Sequence, residues 1–317
     1  GFVVDGKGMK MSKSMGNVIS PEDILKNYGA DILRVWVSAS DYAEDLRIDK
    51  NILIQHAESY RKIRNTFRFM LGNLKDNFEK QDFEKINLNE LDELEQYILH
   101  KLYLISNSVT ESLKSYNFHK LYKELLNFCS LDLSSFYFDI RKDVLYCDSL
   151  SSKKRRNCVT VLNIVLESLL KWFAPILVFT TEEIHSLVDK KGGSIHENNF
   201  VNIPKNWKND NLNKKWLNLF KIKQETNVAI EEKRTSKEIG SSLEAEIKLS
   251  INKEKFELLN DIDLAEYFIV SKAEKKLSDK DEIKIEVSKA KGKKCERCWK
   301  ILENQCTRCS NLAESNL

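Results

Sequence analysis

Residues 91–113 read LDELEQYILHKLYLISNSVTESL. Leu91, Leu94, Ile98, Leu102, Ile105, Val109 and Leu113 recur at steps of three and four. On a helix of about 3.6 residues per turn these positions share one stripe, with charged and polar residues around the rest. The spacing continues at Leu121, Leu125 and Phe128, and returns at Leu162, Leu166, Leu169 and Phe173, ahead of Pro175. From about residue 50 to about residue 190 the pattern is helical almost throughout. Helices with one apolar stripe must bury it against one another, so the spacing predicts a helical bundle.

On the C-terminal side of this region, Gly192-Gly193 and an Asn- and Lys-rich run to residue 210 mark a boundary. A helix at 211–234 is expected next. The period then changes to two. Ala245, Ile247, Leu249 and Ile251 alternate with polar residues, as do Ile283, Ile285 and Val287, with AEYFIV at 265–270 between them. That pattern predicts a small α/β module. On the N-terminal side, FVV at 2–4 followed by Asp5-Gly6 reads as a strand entering a tight turn. Ser20-Pro21-Glu22-Asp23 is a helix start: a capping Ser, Pro at the first position and acids in the first turn. Gly29 ends that helix, and residues 30–40 read as a second, short and mostly apolar helix.

The chain has 317 residues, enough for two or three domains, and 42% of them are hydrophobic. Three prolines and ten glycines argue against a linker-dominated chain. Lys+Arg of 51 against Asp+Glu of 48 leaves a net charge of +3, so any nucleic-acid argument must come from local clusters. No apolar run approaches the ~20 residues of a membrane span, and no secretion signal opens the sequence. Seven cysteines in so charged a chain suggest a reducing, cytoplasmic setting rather than a disulfide scaffold.

Three clusters carry candidate chemistry. The first is KGMKMSKSMGN at 7–17, a glycine-bracketed loop with Lys10, Met11, Ser12, Lys13 and Ser14 at its centre. Lysine ammonium and serine hydroxyl groups donate well to phosphate, and such loops suit phosphate chemistry. A solvated basic turn is the plain alternative. The second is basic surface. Residues 50–75 hold six Lys or Arg and one acid, and Arg61, Arg64 and Arg68 fall on one helix face. Lys153, Lys154, Arg155 and Arg156 stand at an expected helix start. Either set could follow a phosphate backbone or be an ordinary solvated face. The third is CERCWKILENQCTRC at 295–309, which places Cys295, Cys298, Cys306 and Cys309 as two CxxC pairs. Four thiolates suit a structural zinc ion; a redox dithiol pair or disulfides are the alternatives. Lys293, Lys294, Arg297, Lys300 and Arg308 favour the thiolates. The seven-residue spacer is shorter than usual for paired knuckles. Cys129, Cys147 and Cys158 and the five scattered histidines suggest no site.

KMSKS followed by Met15-Gly16-Asn17-Val18 and Pro21 resembles the signature loop of class I aminoacyl-tRNA synthetases. The resemblance continues through Gly29-Ala30-Asp31, Leu33-Arg34 and Trp36-Val37. Ser38-Ala39-Ser40-Asp41-Tyr42, Tyr60-Arg61-Lys62-Ile63-Arg64-Asn65-Thr66, Ala174-Pro175-Ile176-Leu177 and Gly240-Ser241-Ser242-Leu243-Glu244-Ala245 are similar to the bacterial-type isoleucyl enzymes. So does the cysteine ending, which distinguishes them from valyl enzymes.

The resemblance implies a mainly α chain divided into four parts. Residues 1–48 would be the end of a Rossmann-type catalytic domain and 49–200 an anticodon-binding bundle. Residues 201–290 would be a small α/β module and 291–317 a zinc knuckle. It implies ATP binding with Mg2+ by the loop, with Lys13 and Lys10 as catalytic groups. It implies tRNA-Ile as partner, one structural zinc ion, and a full enzyme that is monomeric and cytoplasmic. The HIGH-type motif, the amino-acid pocket and the editing domain are not in this sequence, so the isolated chain is expected to be inactive. A free-standing tRNA-binding module, or a fragment of a valyl or leucyl enzyme, are the alternatives.

Overall fold

Two short strands, Val3–Asp5 (β1) and Leu46–Ile48 (β2), pair in parallel, Val3 opposite Leu46 and Asp5 opposite Ile48. The computed structural model describes residues 1–74, 78–189 and 192–314. They fall into two units: Gly1–Phe136 with Val159–Lys208, and Tyr137–Cys158 with the chain from Asn209 onward. Parallel strands need a long crossover, and here it holds two helices, Pro21–Tyr28 (α1) and Ala30–Ala39 (α2). Ser20 Oγ caps α1 by accepting from the Asp23 N–H at 3.2 Å, and Gly29, at φ 87°, turns the chain into α2. Ile24, Trp36, Leu46, Ile48 and Leu53 form the core beneath, with the Trp36 indole donating to the Arg47 carbonyl at 2.9 Å.

The rest of this unit is helical. Lys50–Leu74 (α3), Glu93–Lys114 (α4), Phe118–Asn127 (α5), part of Lys153–Phe173 (α7) and Val178–Val188 (α8) bury their apolar faces together; Phe138–Cys147 is α6. Of the stripe at 91–113, Leu91, Leu94, Ile98, Leu102 and Val109 are buried, while Ile105 and Leu113 are half-buried. Phe67 of α3 meets Phe173 of α7 edge-on, centroids 6.0 Å apart. Between α5 and α6, Phe128–Tyr137 is π-helical. Its wider turn brings residues five apart onto one face. Phe128 and Leu133 are accordingly both buried, which a period of 3.6 would not pair.

One contact fixes α2 on the corner between α7 and α8. Asp31 is buried and accepts from Phe179 N–H at 3.3 Å, Thr180 N–H at 2.8 Å and the Thr180 hydroxyl at 2.6 Å. These backbone donors open α8 and have no partner within that helix, and its positive end favours an anion. One turn along α2, Arg34 donates from Nε to the Ile176 carbonyl at 3.0 Å and from Nη2 to the Pro175 carbonyl at 2.6 Å. Asp31→Ala would strand buried donors and remove a cap, lowering the stability of this unit by about 2–4 kcal/mol. A drop in its urea midpoint checks this, and Thr180→Val, which loses the hydroxyl's bonds to Asp31 and Tyr60 but keeps both backbone donors paired with Asp31, should fall less.

In the second unit, Asp210–Thr235 (α9) lies against a three-stranded sheet of order β4-β3-β5. Ala245–Ile251 (β3) is central, parallel to Lys272–Leu277 (β4) and antiparallel to Lys284–Lys289 (β5). Lys253–Leu258 (α10) and Leu264–Tyr267 (α11) fill the crossover from β3 to β4. Ala245, Ile247, Leu249 and Ile251 all point into the core. β4, KAEKKL, buries no residue; it is an edge strand kept polar, and alternating hydrophobicity does not announce it. α6 and the start of α7 are tied to α11 by Glu266. Its two oxygens receive Arg141 Nη1 and Lys154 Nζ, each at 2.7 Å.

Lys223 on α9 is buried, with its ammonium donating to the Tyr267 carbonyl and 4.8 Å from the centre of the Tyr267 ring. Burial depresses its pKa to about 8, against opposition from Asp139. The unfolded chain therefore holds this proton more tightly than the folded one. Its contribution to stability rises as pH climbs from about 8 towards the unfolded value near 10.5. Relative to Lys223→Met, the wild type should gain roughly 2–3 kcal/mol between about pH 7 and about pH 10. Urea unfolding of both proteins at the two pH values measures this.

Candidate functional site

The lysine loop is held from both ends. Asp5, the last residue of β1, accepts Lys7 N–H at 3.0 Å and Met9 N–H at 2.8 Å through Oδ1. Its Oδ2 accepts the Asn17 amide at 2.9 Å, and that hydrogen bond is the largest influence drawing the Asp5 pKa down. Asn17 also accepts Ser12 N–H at 2.9 Å and donates to the Lys10 carbonyl at 3.3 Å. Ser12 Oγ caps a 3-10 turn over Lys13–Met15. Gly16, at φ 66°, closes that turn in a conformation that disfavours residues with a side chain. Met11 packs down on the Trp36 core, while Lys10, Lys13 and Ser14 remain exposed. The loop thus presents two ammonium groups from a fixed backbone. Asp5 and Asn17 were not singled out in the sequence, and the hydrogen-bonding side chains flanking the loop are the signal that points to them. Asn17→Ala removes three of these bonds. Trypsin should then cut after Lys10 and Lys13 several-fold faster, as peptide mapping would show.

The two basic faces differ. Arg61, Arg64 and Arg68 are all exposed on α3. Arg64 and Arg68 line an open groove of about 1200 Å3 between α3 and α8, with Phe67, Lys80, Thr180 and Glu183. Lys75, the last cation of the 50–75 stretch, lies outside the described residues. At the start of α7, Lys153 and Arg156 face solvent. Lys154 is bound to Glu266, and Arg155 donates to the Asp148 carbonyl at 2.6 Å. The four cations of that run therefore divide between surface and scaffold.

Cys295, Cys298, Cys306 and Cys309 come together, their sulfur atoms all within 4.8 Å of one another. Cys298 and Cys306 Sγ are 3.9 Å apart, close to the roughly 3.8 Å edge expected of a tetrahedron with metal–sulfur bonds of about 2.3 Å. The cluster could hold a metal ion. A hairpin of Lys293–Lys294 (β6) and Ile301–Leu302 (β7) carries the first pair, and Thr307–Glu314 (α12) carries Cys309. Gly292, at φ 122°, is required because a β-carbon there would lie 2.1 Å from the Leu302 carbonyl oxygen. Burial opposes the Cys295 thiolate, yet the N–H groups of Cys298 and Arg297 outweigh it and bring the thiol down to about 7.

The knuckle rests on α6. Arg308 pairs with Asp143 through Nη1 at 2.8 Å and Nη2 at 2.9 Å, and with Asp148 at 3.2 Å. Arg297 donates to the Tyr146 carbonyl at 3.2 Å, and Cys147 packs against Cys298 and Cys309. Arg308 is thus a docking residue, and Cys147 belongs to the wall of the cluster. Trp299, which the sequence reading passed over, is 59% exposed and sits at φ 65°, with Lys294 Nζ 5.4 Å from its ring centre. An exposed indole inside a cysteine knuckle is the signal that could have marked it.

No helix among the described residues is long and apolar enough to cross a membrane. Residues 1–49 match the family of class I tRNA synthetases for I, L, M and V, and residues 95–249 match the anticodon-binding domain of tRNA ligase. The isoleucine–tRNA ligase of Pelagibacter ubique is 59% identical over 98% of this chain and 34% of its own length. Those of Caldicellulosiruptor saccharolyticus and Natranaerobius thermophilus are 43% and 38% identical, over 95% and 100% of this chain. The chain spans about a third of the length of these curated relatives. Among solved structures, the ternary complex of Agrobacterium radiobacter K84 agnB2 LeuRS with tRNA and LeuAMS shares the fold. Its TM-score is 0.51 at 20% identity, over 66% of this chain and 24% of that one. By these matches the chain belongs to the class I aminoacyl-tRNA synthetases and corresponds to a C-terminal portion of isoleucine–tRNA ligase.

Proposed function

We propose that this chain serves isoleucine–tRNA ligase in two ways: it brings the lysine loop to ATP and holds the anticodon arm of tRNA-Ile. In the whole enzyme, the carboxylate of isoleucine attacks the α-phosphorus of ATP, pyrophosphate leaves, and isoleucyl-adenylate forms. A terminal ribose hydroxyl of the tRNA then displaces AMP from the carbonyl carbon. Lys13 and Lys10 neutralise charge as pyrophosphate departs, with Mg2+ on the nucleotide. Ser12, Ser14 and the Met11 anchor keep the loop in shape. Charge stabilisation of this kind is the main catalytic resource for phosphoryl chemistry.

The observation that carries this reading is the lysine loop, fixed by Asp5 and Asn17, in the same folded unit as the helical bundle. Phe2, just before β1, and Val3, its first residue, are exposed at 80% and 43%. A lone two-stranded parallel pair with exposed apolar residues at its start suits part of a larger sheet, which the remainder of a catalytic domain would supply. In the proposed division, residues 1–48 finish the catalytic domain and 49–200 bind the anticodon arm. Residues 201–290 are the α/β module and 291–317 the knuckle.

Arg61, Arg64, Arg68, Lys153 and Arg156 are proposed phosphate contacts, with Lys154 and Arg155 shaping the second face from behind. The four cysteines are proposed to hold one structural zinc ion, whose role is to order the knuckle. With the knuckle ordered, Trp299 offers a stacking face for an unpaired base beside Lys293 and Lys294.

The test is a titration of this chain against purified tRNA-Ile and tRNA-Val at low and high salt, with bound metal assayed in the same preparation. Preference for tRNA-Ile that survives high salt, with one zinc per chain, is the expected result. Equal and steeply salt-sensitive binding would refute an identity-reading role for this portion. Protein purified under reducing conditions without stoichiometric zinc would refute the metal assignment.

A further inference from the structure

Arg64 is the surface end of a hydrogen-bond chain that runs into the core. Arg64 Nη1 lies 3.0 Å from Tyr60 Oη, Tyr60 Oη 2.8 Å from Thr180 Oγ1, and Thr180 Oγ1 2.6 Å from Asp31 Oδ2. A guanidinium only donates and a carboxylate accepts, so the two hydroxyls between them can be oriented in one way. Arg64 donates to Tyr60, Tyr60 to Thr180, and Thr180 to Asp31. Bonds aligned in one direction polarise each other, and the chain has a cation at one end and an anion at the other. Thr180 and Asp31 are buried, so the inner end is fixed by packing. The outer end opens on the groove between α3 and α8, where Arg64 Nη2 also reaches Glu183 at 3.5 Å.

That second contact is of a different kind. Both side chains are about half exposed, at 50% and 56%, and the distance is long. Such pairs are weak and easily exchanged. A phosphodiester oxygen offers Arg64 the same charge with better bidentate geometry. Tyr60 holds Arg64 Nη1 at the groove, while Nη2 carries the weaker contact to Glu183.

We propose that Tyr60, backed by Thr180 and Asp31, is a positioning residue that presents Arg64 to a backbone phosphate of bound RNA, and that Glu183 competes with that phosphate for the guanidinium. This rests on the tRNA-binding reading above. Ordering a long side chain in advance removes part of the entropy that binding otherwise costs. Tyr60→Phe deletes the hydroxyl alone and should weaken tRNA-Ile binding by about 2- to 10-fold. Glu183→Gln should tighten it by about 2- to 5-fold. Arg64→Ala should lower the slope of log affinity against log salt by about one.

The deciding measurement is a double-mutant cycle on this chain, with Kd for purified tRNA-Ile at about 50 and about 200 mM salt. In the Arg64→Ala background, Tyr60→Phe and Glu183→Gln should each change the affinity by less than about twofold. A Tyr60→Phe effect of full size in that background would mean that the hydroxyl only supports the fold, and would overturn the proposal. So would looser or unchanged binding by Glu183→Gln. Wild-type binding that Arg64→Ala leaves unaltered overturns the proposal alone. Wild-type protein that binds no tRNA overturns it together with the reading beneath it.

Discussion

The pairing of α2 with the corner between α7 and α8 is the constraint on which the first unit depends. Asp31 and Arg34 stand one turn apart and meet opposite demands. The carboxylate satisfies N–H groups that open α8, and the guanidinium satisfies carbonyls of the turn before it. Both demands follow from the ends of helices, where backbone groups have no partner inside the helix. Pro175 sharpens the corner and lacks an N–H, but its carbonyl still needs a donor. Because α2 also carries Trp36, the same helix supports the core under β2 and Met11 of the lysine loop. The loop is therefore as well placed as this corner allows.

Polar groups do much of the positioning elsewhere too. Asp5 and Asn17 convert a glycine-bracketed loop into one with a fixed backbone, leaving its lysines free to move at their tips. Glu266 gathers Arg141 and Lys154, and Asp143 receives Arg308 from the cysteine knuckle. A small knuckle with four sulfurs has little apolar surface to bury. Docking it on α6 through a bidentate ion pair and the Cys147 contact compensates for that lack.

Much of this was legible in the sequence, and the parts that were not share a cause. The stripe at 91–113 becomes α4 because its period matches a helix that has neighbours to bury against. Ser20, Pro21 and Gly29 bound α1 because capping is local chemistry. The alternation at 245–251 becomes a central strand because both its neighbours pair with it. By contrast, β4 shows no alternation, since an edge strand in solvent can be charged throughout. The π-helical turn at 128–137 also escaped, because a wider turn changes which residues face inward without changing their composition.

The sequence by itself determined most of the helices, the central strand, the pairing of four cysteines and the lysine loop, because each depends on residues close together along the chain. Tertiary structure alone decided what the cations do. Arg61, Arg64, Arg68 and Lys153 to Arg156 look alike as letters. Lys154 and Arg155 became scaffold because Glu266 and the Asp148 carbonyl lie within reach, and Arg64 became the end of a relay because Thr180 lies 2.8 Å from Tyr60. A charge's role is set by what lies within a few ångströms of it in space. Tyr60 and Thr180 are 120 residues apart in the chain, a separation that only folding closes.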